Sequence, residues 1–217
     1  TEGTTVAGGN GDGSATNQLN SIYGLAVDAT GNIYAADYYN HRIQKWAPGA
    51  TEGVTVAGGN GGGGNANQLA YPSGVAIDAS GNVYVADMNN ERIQKWAPGA
   101  TEGVTVAGGN GYGSNANQLA RPTGVGVDAS GNIYVADRNN SRIQKWKIGA
   151  NTGLTLLGGN NQLSEPFGIA LDAVGNIYIA DTKNHRIQKV TNEPQIIIAA
   201  GETSGTLTVS SIEDASD

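Results

Sequence analysis

Asp37-Tyr-Tyr-Asn-His-Arg-Ile-Gln-Lys-Trp46 returns three times in this chain: Asp87-Met-Asn-Asn-Glu-Arg-Ile-Gln-Lys-Trp96, Asp137-Arg-Asn-Asn-Ser-Arg-Ile-Gln-Lys-Trp146 and Asp181-Thr-Lys-Asn-His-Arg-Ile-Gln-Lys-Val190. The frame Asp-x-x-Asn-x-Arg-Ile-Gln-Lys is constant and its x positions change, the pattern of a scaffold that presents a variable surface. The anchor arginines, Arg42, Arg92, Arg142 and Arg186, set the period. The last interval is shorter, because Gly158 to Leu163 lacks the insert present between Gly108 and Leu119. A segment that shortens while both flanks keep their pattern is a surface loop.

Outward from the frame, the second copy shows four short apolar runs: Gly74-Val-Ala-Ile-Asp78, Asn82-Val-Tyr-Val-Ala-Asp87, Arg92-Ile-Gln-Lys-Trp96 and Gly103-Val-Thr-Val-Ala107. Each is β-branched or aromatic and bounded by turn formers, which is how strands read. Asp78-Ala-Ser-Gly-Asn82 reads as a tight hairpin and Asp87-Met-Asn-Asn90 as a second turn. No stretch has an apolar 3.6-residue period, so essentially no helix is expected. Four strands in each repeat of some 40–50 residues point to an all-β chain, a β-propeller of four-stranded antiparallel blades. The blades fall at about 22–58, 73–108, 123–158 and 167–190. Thr4-Thr-Val-Ala7 corresponds to the fourth strand of a blade, so it is expected to complete the last blade and close the ring. Beyond residue 190, the composition changes to a linker over 191–194 and a β-hairpin within 195–217, the expected start of a following β-sandwich module.

Thirty-four glycines against one Phe and one Met suit short elements joined by tight turns. The formal charge of −7 is uneven, since the stretch after Val190 carries Glu193, Glu202, Glu213, Asp214 and Asp217 and no base. Most of the Lys and Arg residues belong to the frames, and the extra bases are Arg121, Arg138, Lys147 and Lys183. They are too few for the basic stripe on which nucleic acid binding rests. The lack of cysteine removes disulfides, thiolate metal sites and cysteine nucleophiles. No run approaches the roughly 20 apolar residues of a membrane span, so no membrane insertion is expected. Thr1 follows no initiator Met or signal pattern, which reads as a processed or excised piece.

Pro72-Ser-Gly-Val-Ala-Ile-Asp78, Gly81-Asn-Val-Tyr-Val-Ala-Asp87 and Asn90-x-Arg-Ile-Gln, with Asn40-His-Arg-Ile and Asn184-His-Arg-Ile, resemble the NHL-repeat family over residues 1–190. The segment Ala200 to Asp214 more weakly resembles a piece of the Calx-β modules that follow such repeats in secreted bacterial surface proteins. The resemblance implies a propeller, usually of six blades, that serves as an interaction platform and occasionally as a lyase- or lactonase-like enzyme. It also implies an extracellular or cell-surface setting. Four blades are visible, either a complete four-bladed ring or part of a six-bladed one, and an open arc would leave edges that invite self-association.

Strands alternate in direction, so loops joining second to third strands share one end with loops that enter each blade. That end carries Tyr38, Tyr39, His41, Met88, Asn89, Glu91, Arg138, Asn139, Lys183 and His185 together with Tyr71 and Arg121. Aromatics and arginines gathered on a loop-built face compose a recognition surface for a protein or glycan, against the plainer readings of unconstrained solvent positions or of a purely structural repeat in a surface or filament protein. His41 and His185 fall short of the three ligands of a catalytic zinc. The Asp of each frame, five residues before an Arg, reads as a structural hydrogen-bond ladder, and its repetition argues against a single catalytic centre. No catalytic residue and no cofactor is therefore expected. Gly8-Gly-Asn-Gly-Asp-Gly13 resembles calcium-binding Gly-Asp repeats, yet the matching Gly58 to Gly63 and Gly108 to Gly113 lack the Asp. A flexible connector is expected there. Trp46, Trp96 and Trp146 are expected to wedge between blades, with a carbohydrate platform as the alternative.

Overall fold

The computed structural model describes residues 2–159, 161–191, 195–196 and 209–210. Blade 1 comprises β1 (Ile22–Val27), β2 (Ile33–Asp37), β3 (Arg42–Trp46) and β4 (Val54–Gly58). Blade 2 comprises β5 (Pro72–Ile77), β6 (Val83–Asp87), β7 (Arg92–Trp96) and β8 (Val104–Gly108); blade 3, β9 (Pro122–Val127), β10 (Ile133–Asp137), β11 (Arg142–Trp146) and β12 (Leu154–Gly158). Blade 4 has β13 (Pro166–Leu171), β14 (Ile177–Asp181) and β15 (Arg186–Val190). Within each blade, neighbouring strands pair antiparallel in chain order. The chain is an all-β, four-bladed propeller arrangement, and among the described residues its only helical turns are four single 3-10 turns. The expected tail module lies largely outside the described residues, apart from Gln195–Ile196 (β16) paired with Val209–Ser210 (β17).

Each hairpin forms where its sequence supplies the turn chemistry. Asp78 Oδ1 accepts from the Ser80 and Asn82 N–H groups at 3.0 and 2.9 Å, and Gly81 takes φ +78°. A side chain at that φ would be strained. In the second turn, the residue before each Arg adopts the left-handed conformation although it is never glycine: His41 at φ 54°, Glu91 at 55°, Ser141 at 49° and His185 at 53°. The variable x position before Arg is thus a chain corner held by the rest of the frame.

The core lies between blades. Tyr34, Ala36, Ile43 and Ala57 of blade 1 pack against Val75, Val83, Val85 and Trp96 of blade 2, with Leu69 between them. The equivalent cluster forms between blades 2 and 3, and a similar one between blades 3 and 4. Trp96 and Trp146 wedge in these interfaces at 2% exposed, while Trp46, 1% exposed, is buried with Leu19 and Ala35 on the outer face of blade 1, so none presents a carbohydrate platform. At the axis the first strands approach so closely that only glycine fits. A Cβ on Gly24 would lie 2.7 Å from the Ser73 carbonyl oxygen, and one on Gly74 would overlap the Thr123 carbonyl oxygen. Ser73 Oγ donates to the Pro122 and Thr123 carbonyls at 3.1 Å each, and Thr123 Oγ1 to the Pro166 carbonyl at 3.0 Å.

Blade 1 is not covered by blade 4. Leu25 is 68% exposed where its equivalents Val75 and Val125 are 7% and 5% exposed, and Ile187 is 68% exposed where Ile43, Ile93 and Ile143 are fully buried. The closing strand expected from Thr4 to Ala7 does not pair with β15. Ala7 instead packs on Leu19, Ala35 and Trp46 of blade 1. Residues 4–7 therefore stay at the beginning of the arc while β15 stands at its end.

Candidate functional site

Four tyrosines converge at the loop end. Tyr38 and Tyr39 come from the 3-10 turn after β2, Tyr71 sits at a left-handed corner (φ 55°) before β5, and Tyr23 projects from β1. Tyr23 stacks on Tyr38 with ring centroids 4.2 Å apart, and Tyr38 meets Tyr39 edge-on at 5.1 Å and Tyr71 at 5.0 Å. His41 turns its ring edge to Tyr71 at 4.6 Å, and its Nδ1 accepts the Tyr71 N–H at 3.1 Å. Phe167 of β13 reaches Tyr23 at 6.1 Å. Offset and edge-on ring contacts of this kind hold one another in place. Desolvation, with smaller contributions from Tyr23 and Tyr39, pushes the Tyr38 hydroxyl above its usual 10.0 despite the opposing charge of Arg121, so it stays a neutral donor near pH 7.

Polar groups border the aromatics. Arg138 pairs with Glu165 at 2.5 Å, and this bond holds the Glu165 carboxyl below its usual range. Glu91 accepts from the Arg121 N–H, while burial pushes its carboxyl up. Asn139 donates to the Tyr112 hydroxyl at 3.3 Å. Asn89, Lys183 and His185 are exposed. Met88 is 5% exposed, so it packs inside the molecule and is withdrawn from the predicted face.

The geometry thus joins Tyr38, Tyr39, His41 and Tyr71 into one cluster and adds Tyr23 and Phe167, which sequence reasoning did not single out. The signal was present. Tyr23, Ser73, Thr123 and Phe167 occupy one repeat position, each directly before a glycine. In blades 2 and 3 it carries a small hydroxyl that bonds the next blade; in the terminal blades it carries an aromatic ring.

The invariant letters of the frame build the platform beneath. Asp87 Oδ1 accepts the Ala70 N–H at 2.6 Å, and Oδ2 accepts from Asn90 Nδ2 at 2.8 Å and Arg92 Nε at 2.7 Å. The remaining guanidinium donors reach the carbonyls of Gly64, Asn65 and Gln68 at 3.0–3.1 Å. Arg42 and Arg142 do the same to the loops before blades 1 and 3. The frame arginine thus clamps the loop that follows each Gly-rich run, and the frame asparagine holds the run's last carbonyl, Asn40, Asn90 and Asn140 donating to Gly13, Gly63 and Gly113 at 2.8 Å each. Burial pushes the Asp87 and Asp137 carboxyls up against the pull of these donors. At Asp181, in the half-covered last blade, desolvation is outweighed by hydrogen bonds from Ser164, Asn184 and Arg186, and the carboxyl is held down.

Among the described residues, no group of three or more His, Asp or Glu side chains has the arrangement to hold a metal ion. A concavity opens at the opposite end between blades 1 and 2, lined by Asp28, Tyr34, Lys45, Glu52 and Trp96. Most of these recur in other blades, so the concavity belongs to the framework.

An arc of repeated antiparallel blades carrying variable corners on one end is a β-propeller arrangement with a loop-built face. The NHL repeat matches residues 19–46, 69–96, 119–146 and 163–190, and the chain belongs to the NHL-repeat family. Among solved structures it is similar to a chain of a nidogen/laminin complex, at 22% identity and TM-score 0.65, over 80% of this chain and 62% of that one. It is also similar to a streptogramin B lyase, at 15% identity and TM-score 0.57, over 79% of this chain and 51% of that one. An auxiliary nutrient binding protein from Bacteroides thetaiotaomicron is similar at 16% identity and TM-score 0.60, over 80% of this chain and 48% of that one. The chain spans about half to three fifths of the length of these structures, and the likenesses are of fold. Curated proteins offer no match.

Proposed function

We propose that the chain is a non-enzymatic, extracellular or cell-surface scaffold that binds a protein partner through the tyrosine cluster of its loop face. The observation that carries this reading is the contiguous set Tyr23, Tyr38, Tyr39 and Tyr71, half-buried to exposed and locked ring against ring. Tyrosine offers a large, amphipathic contact at low entropic cost, and Tyr and Arg dominate binding energy at interfaces. The flanking Arg121, Arg138, Asn89 and Asn139 supply the polar rim. The likeness to a chain solved in a nidogen/laminin complex supports a protein partner, and a glycan stacked on the same rings is the finer alternative. The lyase likeness rests on fold alone and names no residue of this chain.

The test is a binding screen against secreted and matrix proteins and a glycan array, run with the native chain and with Tyr38→Ala and Tyr39→Ala. Each substitution is expected to weaken the captured partner by roughly thirtyfold, about 2 kcal/mol, at unchanged thermal stability. A partner held equally by both variants overturns the reading. Metal analysis of the purified protein addresses the enzyme alternative, since a stoichiometric bound ion would favour it.

A further inference from the structure

Each blade junction on the loop face is tied by a side chain from a variable position of the frame. His41 Nδ1 accepts the Tyr71 N–H at 3.1 Å, the Glu91 carboxylate accepts the Arg121 N–H, and Arg138 pairs with Glu165. Tyr71, Arg121 and Glu165 are the corners that enter blades 2, 3 and 4, and each is left-handed, at φ 55°, 50° and 47°, without being glycine. Such corners persist only where their surroundings hold them. The variable letters therefore hold the surface in shape as well as composing it.

The tie between blades 1 and 2 is built on an imidazole. We infer that His41 is a positioning residue for the tyrosine face: its neutral Nδ1 latches the corner that carries Tyr71, and protonation of that nitrogen releases the corner and weakens binding through the face. This rests on the reading of the face as a binding surface. A neutral imidazole accepts at one nitrogen only, and an imidazolium at neither. The bond to Tyr71 therefore fixes the tautomer with its proton on Nε2, and a proton on Nδ1 sets donor against donor. Histidine is the side chain that ordinarily changes charge between about pH 5 and 8.

The imidazole has little room to yield. The His41 backbone stands at φ 54°, its carbonyl accepts the Gly59 N–H at 3.0 Å, and a Cβ on Gly62 would lie 2.9 Å from Nε2. The ring thus lies between the Gly-rich loop and Tyr71, whose ring it meets at 4.6 Å. Tyr71 in turn meets Tyr38 at 5.0 Å and Tyr39 at 6.2 Å, so a shift of its corner reaches both. Around His41, the Gly-rich loop 58–63 carries no charge, its own turn brings the hydroxyls of Tyr38 and Tyr39, and Asp37 beneath is bound by Arg42 and Asn40. The adjoining turn of blade 2, joined to Ala70 through the Asn89 N–H at 3.1 Å, brings Glu91, whose carboxylate is bound at Arg121.

The test is heteronuclear NMR of the native chain without any partner, from about pH 7.5 down to about pH 5, beside the variant His41→Asn. Asparagine tolerates a left-handed corner, and its Oδ1 is an acceptor that does not titrate. In the native chain His41 is expected to carry its proton on Nε2 at the upper end of the range. The Tyr71 amide proton and the Tyr38 and Tyr39 ring resonances are expected to move with the midpoint of the His41 imidazole. Tyr71 amide exchange, corrected for its intrinsic pH dependence, is expected to quicken by roughly tenfold, the contribution of one hydrogen bond. In His41→Asn these movements are expected to vanish. A proton on Nδ1 at the upper end, a Tyr71 amide that ignores the His41 midpoint, or an Asn variant that still titrates overturns the inference. A partner whose capture Tyr38→Ala weakens is expected to bind the native chain roughly tenfold less tightly at the acid end, and His41→Asn equally at both ends. Equal binding by the native chain at both ends overturns the role given to His41. A screen that finds no partner overturns the binding reading alone, since the latch itself is judged by the resonances.

Discussion

Arg92 and Arg138 look alike in the sequence and differ in energetic weight. Arg92 is nearly buried, pairs with a fully buried Asp87 at 2.7 Å and holds a loop through three carbonyls. Arg138 is about a third exposed and makes a surface pair with Glu165. Removing one partner of a buried pair costs about 3–5 kcal/mol, and of an exposed pair at most about 1 kcal/mol. Arg92→Ala should therefore shift the urea midpoint far more than Arg138→Ala, and equal shifts would contradict the clamp assigned to the frame. The hairpin aspartates set the acid limit. Side-chain hydrogen bonds from Asn32 and Asn176 hold Asp28 and Asp172 below the usual 3.8, and at Asp78 desolvation is outweighed by the bonds from Asn82. A carboxyl depressed by folding stabilises the fold above its unfolded value and loses that contribution as pH falls through its folded value. Stability followed by circular dichroism should accordingly fall as pH drops below 3.8, and the fall should flatten in the triple variant Asp28→Asn, Asp78→Asn, Asp172→Asn.

At the scale of elements, the strands were legible because each is a β-branched run bounded by turn formers, and the Asp-x-x-Gly-Asn hairpin declared its own geometry. The Gly-rich runs do not disclose how the loops after them are anchored, because glycine content reports local freedom whereas the clamp comes from a guanidinium more than twenty residues away in the chain. Glycine also has two distinct roles that its letter does not separate. Gly81 serves a turn at positive φ, and Gly74 serves the approach of neighbouring first strands. Gly81→Ala should cost about 1 kcal/mol from backbone strain. Gly74→Ala should cost about 3 kcal/mol, because its Cβ meets backbone that cannot rotate away. Chemical denaturation of the two variants checks the order, and a Gly74→Ala no worse than Gly81→Ala would mean that the first strands can part.

For the whole molecule, stability should grade along the arc. Blades 2 and 3 are covered on both faces and blades 1 and 4 on one, and in repeat architectures each unit draws stability from its neighbours. Hydrogen exchange at low protein concentration should therefore show the amides of β6 and β10 slower than those of β2 and β14. Uniform protection would indicate a ring closed by the chain alone.

The period, the four-blade count, the antiparallel hairpins and the assignment of the constant letters to framework were determined by the sequence itself, since all follow from local pattern and repetition. Of the loop face, sequence placed Tyr38, Tyr39, His41 and Tyr71 at one end. It did not bury Met88 or bring in Tyr23 and Phe167, because those outcomes depend on which blades meet at the axis. Whether Thr4 to Ala7 joins the last blade was likewise undecidable from its strand-like letters. Only the tertiary structure decided that, by packing Ala7 on Leu19, Ala35 and Trp46 of blade 1 and leaving Leu25 and Ile187 exposed at the two ends of the arc.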